Sequence, residues 1–65
     1  MQQVLTNDRV RLNQDIPELE LFRGDVGVVV STWFFPNTAY EVAFEVNQQR
    51  ERLRVLLLQQ QVGKV

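Results

Sequence analysis

With 65 residues, seven Lys or Arg against eight Asp or Glu, and neither Cys nor His, the chain forms one small domain with a formal net charge of −1. This composition excludes disulfides and the usual His- or Cys-ligated metal sites, so we expect no cofactor and a fold that depends on tight core packing or on a covering partner. No apolar run approaches the length of a membrane span and the first residues lack the features of a signal peptide, so we expect a cytoplasmic protein that does not enter the membrane.

The first predicted strand covers Arg9–Leu12. Polar and apolar residues alternate there, which places Val10 and Leu12 toward the core. The preceding residues 1–8 are polar and near a terminus, so we expect them to be flexible within a single domain that spans residues 1–65.

Residues 13–21 are predicted to form a long loop and not a helix, because Pro17 biases Ile16 to an extended conformation. A loop of this length needs anchors on the core. We expect the apolar anchors to be Ile16, Leu19 and Leu21. The acidic residues of the loop should face water, namely Asp15, Glu18 and Glu20.

Two glycines flank the start of the most β-prone run of the chain. Gly24 is predicted to take a turn conformation, and Gly27 to mark a bulge or a close approach of two backbones. A bulge would leave open whether Val28 or Val29 faces the core. We expect inward side chains at Val26 and at one or both of Val28 and Val30.

The strand is predicted to run to about Phe34, with a turn at Pro36-Asn37. The next strand has the cleanest alternation in the chain. Its inward side chains are expected to be Tyr40, Val42, Phe44 and Val46.

A turn at Asn47-Gln48 would place residues opposite each other when their numbers add to 95. On the outer face this pairs Glu45 with Arg50, Ala43 with Arg52 and Glu41 with Arg54, and on the inner face Val42 with Leu53 and Tyr40 with Val55. Residues 56–61 are predicted to form a short helical turn, and residues 62–65 a closing strand.

The predicted fold is therefore all-β: a small, five-stranded SH3-like barrel with a short helical turn before the last strand. A five-stranded barrel of the oligonucleotide-binding type is the second choice, because that fold usually needs more residues.

The sequence resembles a family of short bacterial proteins of uncharacterised function that is common in cyanobacteria. Three stretches carry the resemblance, Ile16-Pro17-Glu18, Gly24-Asp25-Val26-Gly27-Val28-Val29 and Tyr40-Glu41-Val42-Ala43-Phe44, with a leucine-rich segment after them. The resemblance implies an SH3-like barrel and no established activity. The chain departs from the family pattern at Trp33-Phe34-Phe35 and at Gln59-Gln60-Gln61, where partner specificity would lie.

The first candidate site is the aromatic run of Trp33, Phe34 and Phe35, with Tyr40 nearby. Three consecutive aromatic side chains of a strand cannot all point inward. They either close the open end of the barrel, form a protein-binding hot spot, or stack on single-stranded bases.

The second candidate site is an arginine face on two strands, which could contact nucleic acid: Arg9, Arg11, Arg50, Arg52 and Arg54. The preferred interpretation is structural, because the predicted register pairs Arg50 and Arg54 with glutamates.

The acidic residues near the first loop lack the spacing of a calcium loop and are interpreted as solvated: Asp15, Glu18, Glu20 and Asp25. The single serine, Ser31, has no histidine to activate it, and Gly24 and Gly27 lack the Lys-Ser/Thr of a phosphate loop. The expected function is thus a non-enzymatic protein-interaction module or small accessory subunit that docks on another protein or on itself. The alternatives are a nucleic-acid-binding barrel of the KOW or Tudor type and an antitoxin-like partner of a neighbouring gene product.

Overall fold

The computed structural model describes residues 3–46 and 51–65. Its strands and 3-10 turns are β1 Arg9–Leu12, η1 Pro17–Leu19, β2 Val26–Trp33, β3 Ala39–Val46, β4 Glu51–Leu58, η2 Gln59–Gln61 and β5 Val62–Lys64. All pairings are antiparallel, and the strands form one sheet in the order β4-β3-β2-β1-β5. The prediction of an all-β, five-stranded SH3-like fold is confirmed. The sheet is not closed, so the barrel is only approximate.

The segment before β1 contacts β2. The backbone N–H of Asn7 donates to the carbonyl of Val29 at 2.8 Å, and the N–H of Val29 donates to the carbonyl of Asp8 at 2.9 Å. Val4 is buried. Asn7 and Asp8, at the end of the segment that the sequence predicted to be flexible, thus join β2 through two backbone hydrogen bonds.

The loop between β1 and β2 is anchored as predicted. Leu21 is buried, Ile16 and Leu19 pack against the core, and the three acidic residues of the loop are exposed. Two carboxylates of the predicted acidic cluster accept backbone hydrogen bonds: Asp15 from the N–H of Arg23 at 2.8 Å and Asp25 from the N–H of Phe22 at 2.9 Å. These two carboxylates stabilise the turn.

Both glycines are required by the backbone. Gly24 has a φ of +96°, which a side chain would strain. At Gly27 a Cβ would lie 2.6 Å from the Cγ1 of Val42 and 2.8 Å from the carbonyl oxygen of Ala43. Gly27 therefore permits the close approach between β2 and β3 that its position predicted.

The prediction that Val26 faces inward is wrong, because it is exposed, and so is Val28, one of the two further candidates. Gly27 takes the inward position of the alternation, so Val26 and Val28 project to the outer face and Val29 is the buried valine. Val30 is half-buried. The bulge lies between Val29 and Ser31, beyond the glycine.

The predicted register of β3 and β4 is wrong by two residues. Opposite residues have numbers that add to 97, so Phe44 lies opposite Leu53 and Glu45 opposite Arg52, down to the last pair, Val46 with Glu51. Four residues therefore separate the two strands instead of two. A shift of two preserves the side-chain alternation, so Tyr40, Val42 and Phe44 keep their predicted inner face and Arg52 and Arg54 their outer one.

Leu56, Leu57 and Leu58 belong to β4 and not to a helical turn, which corrects a second prediction. The predicted turn is confined to Gln59–Gln61, and the closing strand follows it. The shifted register lets β4 continue along the whole of β3 to the pair Ala39–Leu58.

The core lies on the inner face of the sheet. Its buried members come from all five strands, the segment before β1 and the loop after it: Val4, Val10, Leu12, Leu21, Val29, Tyr40, Val42, Phe44, Leu57 and Val62. The described residues include no helix that is long and apolar enough to cross a membrane.

Candidate protein-docking surface

The aromatic run lies at the end of β2 and in the turn to β3, outside the core. Trp33 is 45% exposed, Phe34 58% and Phe35 88%. Of the interpretations offered for this run, closure of the barrel by a buried aromatic side chain is therefore not supported. The three side chains present a large apolar surface to solvent.

The neighbouring strands extend this surface across the outer face of the sheet. Trp33 lies opposite Ala39, and Ala39 lies opposite Leu58, so a small residue lies between two large ones. Ala39 is only 8% exposed although it is on the outer face. Two residue pairs further along the strands, Leu56 lies on the same face and is 64% exposed.

These residues border an open depression of about 290 Å³ between the hairpin and β4, lined by Trp33, Phe35, Pro36, Asn37, Ala39, Leu56 and Leu58. Small-molecule sites are usually concave and range from about 300 to 1,000 Å³. An open depression at the lower end of this range fits one or two side chains of a partner better than it fits an enclosed ligand.

Tyr40, which the sequence analysis placed at this site, does not lie there. It is 3% exposed, faces inward and lies opposite Thr32 and Leu57. The reason is alternation: Ala39 occupies the outer face, so the next residue must point into the core. We therefore define the apolar hairpin surface as Trp33, Phe34, Phe35, Leu56 and Leu58.

Leu56 and Leu58 were missed from the sequence because residues 56–61 were assigned to a helical turn. A signal was present: if the alternation of Arg52, Leu53, Arg54 and Val55 is continued, Leu57 falls on the inner face and Leu56 and Leu58 on the outer one.

The arginine face is only partly described. Arg9 and Arg11 on β1 and Arg52 and Arg54 on β4 are exposed, whereas Arg50 lies outside the described residues. Arg9 lies opposite Val28. Val28 in turn lies opposite Ala43, and Ala43 opposite Arg54, so one row across the outer face begins and ends with a cation.

The predicted ion pair of Glu41 with Arg54 does not form, and that of Glu45 with Arg50 lies outside the described residues. In the described part of the chain the ion pair is Lys64 with Asp8 at 3.4 Å, and it involves no arginine. Glu41 lies opposite Leu56 instead of Arg54, and Glu45 lies opposite Arg52 without an ion pair. The interpretation of a self-paired face is therefore wrong for Arg54, and Arg52, predicted opposite Ala43, lies opposite Glu45 instead.

A groove of about 420 Å³ runs along the outer face beside these two arginines. Its walls combine basic, acidic and apolar residues, namely Asn7, Val28, Val29, Val30, Ala43, Phe44, Glu45, Arg52 and Arg54. Within residues 3–46 and 51–65, no group of three or more His, Cys, Asp or Glu side chains could hold a metal ion.

Contacts of the segment before β1 shift the pKa of Asp8. The backbone N–H of Leu5 donates to its carboxylate at 2.8 Å, and Lys64 lies beside it, and these contacts lower the pKa of Asp8 below its ordinary value of 3.8. Asp8 directly precedes β1, on the β1–β5 side of the sheet, whereas the apolar hairpin surface is formed by the end of β2, the turn after it and β4.

Comparison with known proteins gives a family and no activity. No curated protein and no solved structure matches the chain. One family model, described as "Domain of unknown function (DUF4926)", matches residues 6–62, which include strands β1 to β4, the first residue of β5 and the whole apolar hairpin surface. The chain belongs to this DUF4926 family.

Proposed function

We propose that this chain is a non-enzymatic protein-binding module that docks through the apolar hairpin surface. The observation that carries the proposal is the exposure of five large apolar side chains on a 65-residue domain, at the end of β2, in the turn after it and at the end of β4. Contiguous exposed apolar patches on small soluble proteins mark interaction sites more often than not. Trp is also among the residues that dominate binding energies at interfaces.

Burial of the apolar hairpin surface by a partner would supply the driving force for binding. Covering apolar area yields roughly 25 cal/mol per Å², and aromatic side chains bury about 150–250 Å² each when fully enclosed. Trp33 is already held in the pair of β2 with β3, opposite Ala39, so a partner that covers it loses little entropy in fixing its backbone.

A quantitative interaction experiment tests the proposal. Trp33→Ala/Phe35→Ala is compared with the wild type and with Phe22→Ala, since Phe22 is 50% exposed and lies outside the surface. A photo-crosslinking residue at position 34 first identifies the partner in the native extract, and the purified partner is then titrated against each variant.

We expect the double variant to weaken binding at least about 100-fold, because each hot-spot residue contributes about 2 kcal/mol or more. Phe22→Ala should bind as the wild type does. Unchanged affinity of a folded double variant would refute the proposal. A crosslink to a second copy of the chain would identify self-association as the form of docking.

A second candidate function, contact with nucleic acid, is favoured by one observation: the four described arginines of the arginine face are exposed and form no ion pair with described residues. Such binding falls steeply as salt rises, because phosphate contacts release counterions. Titration with a single-stranded oligonucleotide at low and physiological salt tests it, and no binding at low salt would exclude it.

A further inference from the structure

Strand β4 has an open edge. It lies at one end of the sheet and pairs only with β3 among the described residues. Just past its end, the N–H of Gln59 donates to the carbonyl of Thr38 at 3.3 Å. In an antiparallel pair, successive residues alternate between bonding to the neighbour and pointing away from it. The backbone groups of Arg52, Arg54, Leu56 and Leu58 therefore point to the open edge.

One of these four positions is already occupied. The N–H of Leu58 donates to the Oε1 of Gln61 at 2.7 Å, which closes the edge where β4 enters η2. Arg52, Arg54 and Leu56 make no such bond with described residues. Three successive bonding positions are thus left open, enough for one short added strand.

The same three residues project their side chains to the outer face, where all are exposed. Arg52 and Arg54 are cationic, and Leu56 adjoins the apolar hairpin surface. An added strand would meet two positive charges at one end and an apolar surface at the other. Its outward side chains would be complementary if they were acidic beside the arginines and apolar beside Leu56.

A second copy of the chain does not satisfy this requirement. Antiparallel pairing of β4 with itself through all three open positions would place Arg54 directly opposite Arg54 of the other copy. Like charges that lie opposite each other across strands are destabilising, and charged side chains on edge strands prevent such pairing in natural sheets.

We propose that the open edge of β4 accepts an extended segment of a partner protein as an added antiparallel strand, apolar opposite Leu56 and acidic opposite Arg54 and Arg52. This inference rests on the proposed protein-binding function and gives it a mode and a partner chemistry. Strand addition supplies affinity through the main chain and specificity through alternate side chains, as in other proteins that bind peptides at a sheet edge.

A synthetic peptide tests the mode directly. The probe is acetyl-Ile-Thr-Val-Thr-Glu-Thr-Glu-amide, whose valine would lie opposite Leu56 and whose glutamates would lie opposite the two arginines. Two N-methylated versions are compared with it. In one, the valine and both glutamates are methylated, which removes the three N–H donors that face β4. In the other, the threonines are methylated, whose N–H groups would point away.

We expect the first set of methyl groups to weaken binding at least about tenfold, since three backbone hydrogen bonds of about 0.5–1.5 kcal/mol each are lost. The second set should leave the affinity within a factor of about two or three. Equal effects of the two sets, or no binding of the parent peptide, would overturn strand addition.

Matched protein variants test the charge requirement. Arg52→Glu/Arg54→Glu should weaken the acidic peptide at least about tenfold and favour a version with lysine in place of glutamate, whereas Arg9→Glu/Arg11→Glu on β1 should leave both affinities unchanged. Equal loss in both pairs of variants, together with salt-sensitive binding of a poly-dT oligonucleotide, would identify a polyanion site and overturn the proposal.

The two proposals fail in different ways. If Trp33→Ala/Phe35→Ala abolishes binding of the natural partner but the two N-methylated peptides bind equally, the docking function stands and strand addition does not. If the double alanine variant binds the natural partner as the wild type does, the hairpin is not the docking surface, whatever the peptide does.

Discussion

The two ends of β2 have opposite surroundings. Near its start, Gly27 lies so close to β3 that no side chain fits, and Val29 is fully buried. At its end, Trp33 is 45% exposed and leads to Phe35, which is 88% exposed. One strand of eight residues thus begins where no Cβ fits against β3 and ends at an exposed aromatic run.

The difference teaches how to separate residues that the fold needs from residues that it does not. Around Gly27 the fold explains the residues present: the glycine permits the close approach of β2 to β3, and a bulge follows between Val29 and Ser31. At the end of the strand, packing explains why a small residue, Ala39, lies opposite Trp33, but it does not explain the exposed aromatic side chains. The exposed hairpin contributes little to folding, which is why an interaction is the better explanation for its composition.

The sharpest test of this comparison exchanges phenylalanine for alanine at each end. Phe44 packs under Gly27 and is 1% exposed, so Phe44→Ala should lower the free energy of unfolding by about 3–5 kcal/mol. For so small a domain this is most of the stability. Phe35→Ala should change it by no more than about 0.5 kcal/mol.

Both values come from urea unfolding followed by tryptophan fluorescence or circular dichroism. If Phe35→Ala instead cost more than about 1 kcal/mol, the hairpin would be part of the folding core and the comparison would fail.

A second test addresses the close approach at Gly27. Gly27→Ala forces a Cβ to within 2.6 Å of Val42 and 2.8 Å of a backbone oxygen, so we expect a loss of about 1–3 kcal/mol or more. Gly63 is the matched control, because a Cβ there would lie 3.6 Å from the Oδ1 of Asn13, an ordinary contact. Gly63→Ala should be neutral or slightly stabilising, since alanine restricts the unfolded chain. Equal melting temperatures for the two variants would contradict the close packing.

Much of this fold was predictable where side chains alternate. The pattern in β1 and β3 gave the inward residues Val10, Leu12, Val42 and Phe44 correctly, because the strand period of two is visible in the sequence itself. The valine run of β2 has no such period. There the alternation is set by Gly27, which takes an inward position, and only the distance between β2 and β3 reveals this.

The candidate site was half predictable for related reasons. Three adjacent aromatic residues signal exposure by themselves, so Trp33 and Phe35 were found. The contribution of Leu56 depends on the register between β3 and β4, and register depends on a turn length that Asn47-Gln48 alone does not fix. The lack of ion pairs at Arg54 follows from the same two-residue shift.

The smallest expected effect is a change in the pH dependence of stability, and it concerns the segment before β1, which bonds to Val29 of β2. Asp8 accepts a hydrogen bond from Leu5 and lies 3.4 Å from Lys64, and its pKa is lowered below 3.8 in the folded chain. A pKa that is lowered in the folded state adds stability at pH values above the unfolded-state pKa, and this stability is lost as the pH falls through the folded-state pKa.

Wild-type stability should therefore decline below about pH 4 more steeply than that of Asp8→Asn, whose amide oxygen can still accept from Leu5. Unfolding midpoints measured between pH 7 and pH 2.5 decide this. Parallel curves for the two proteins would show that the charge of Asp8 does not hold the segment on β2, and that its backbone contact with Val29 suffices.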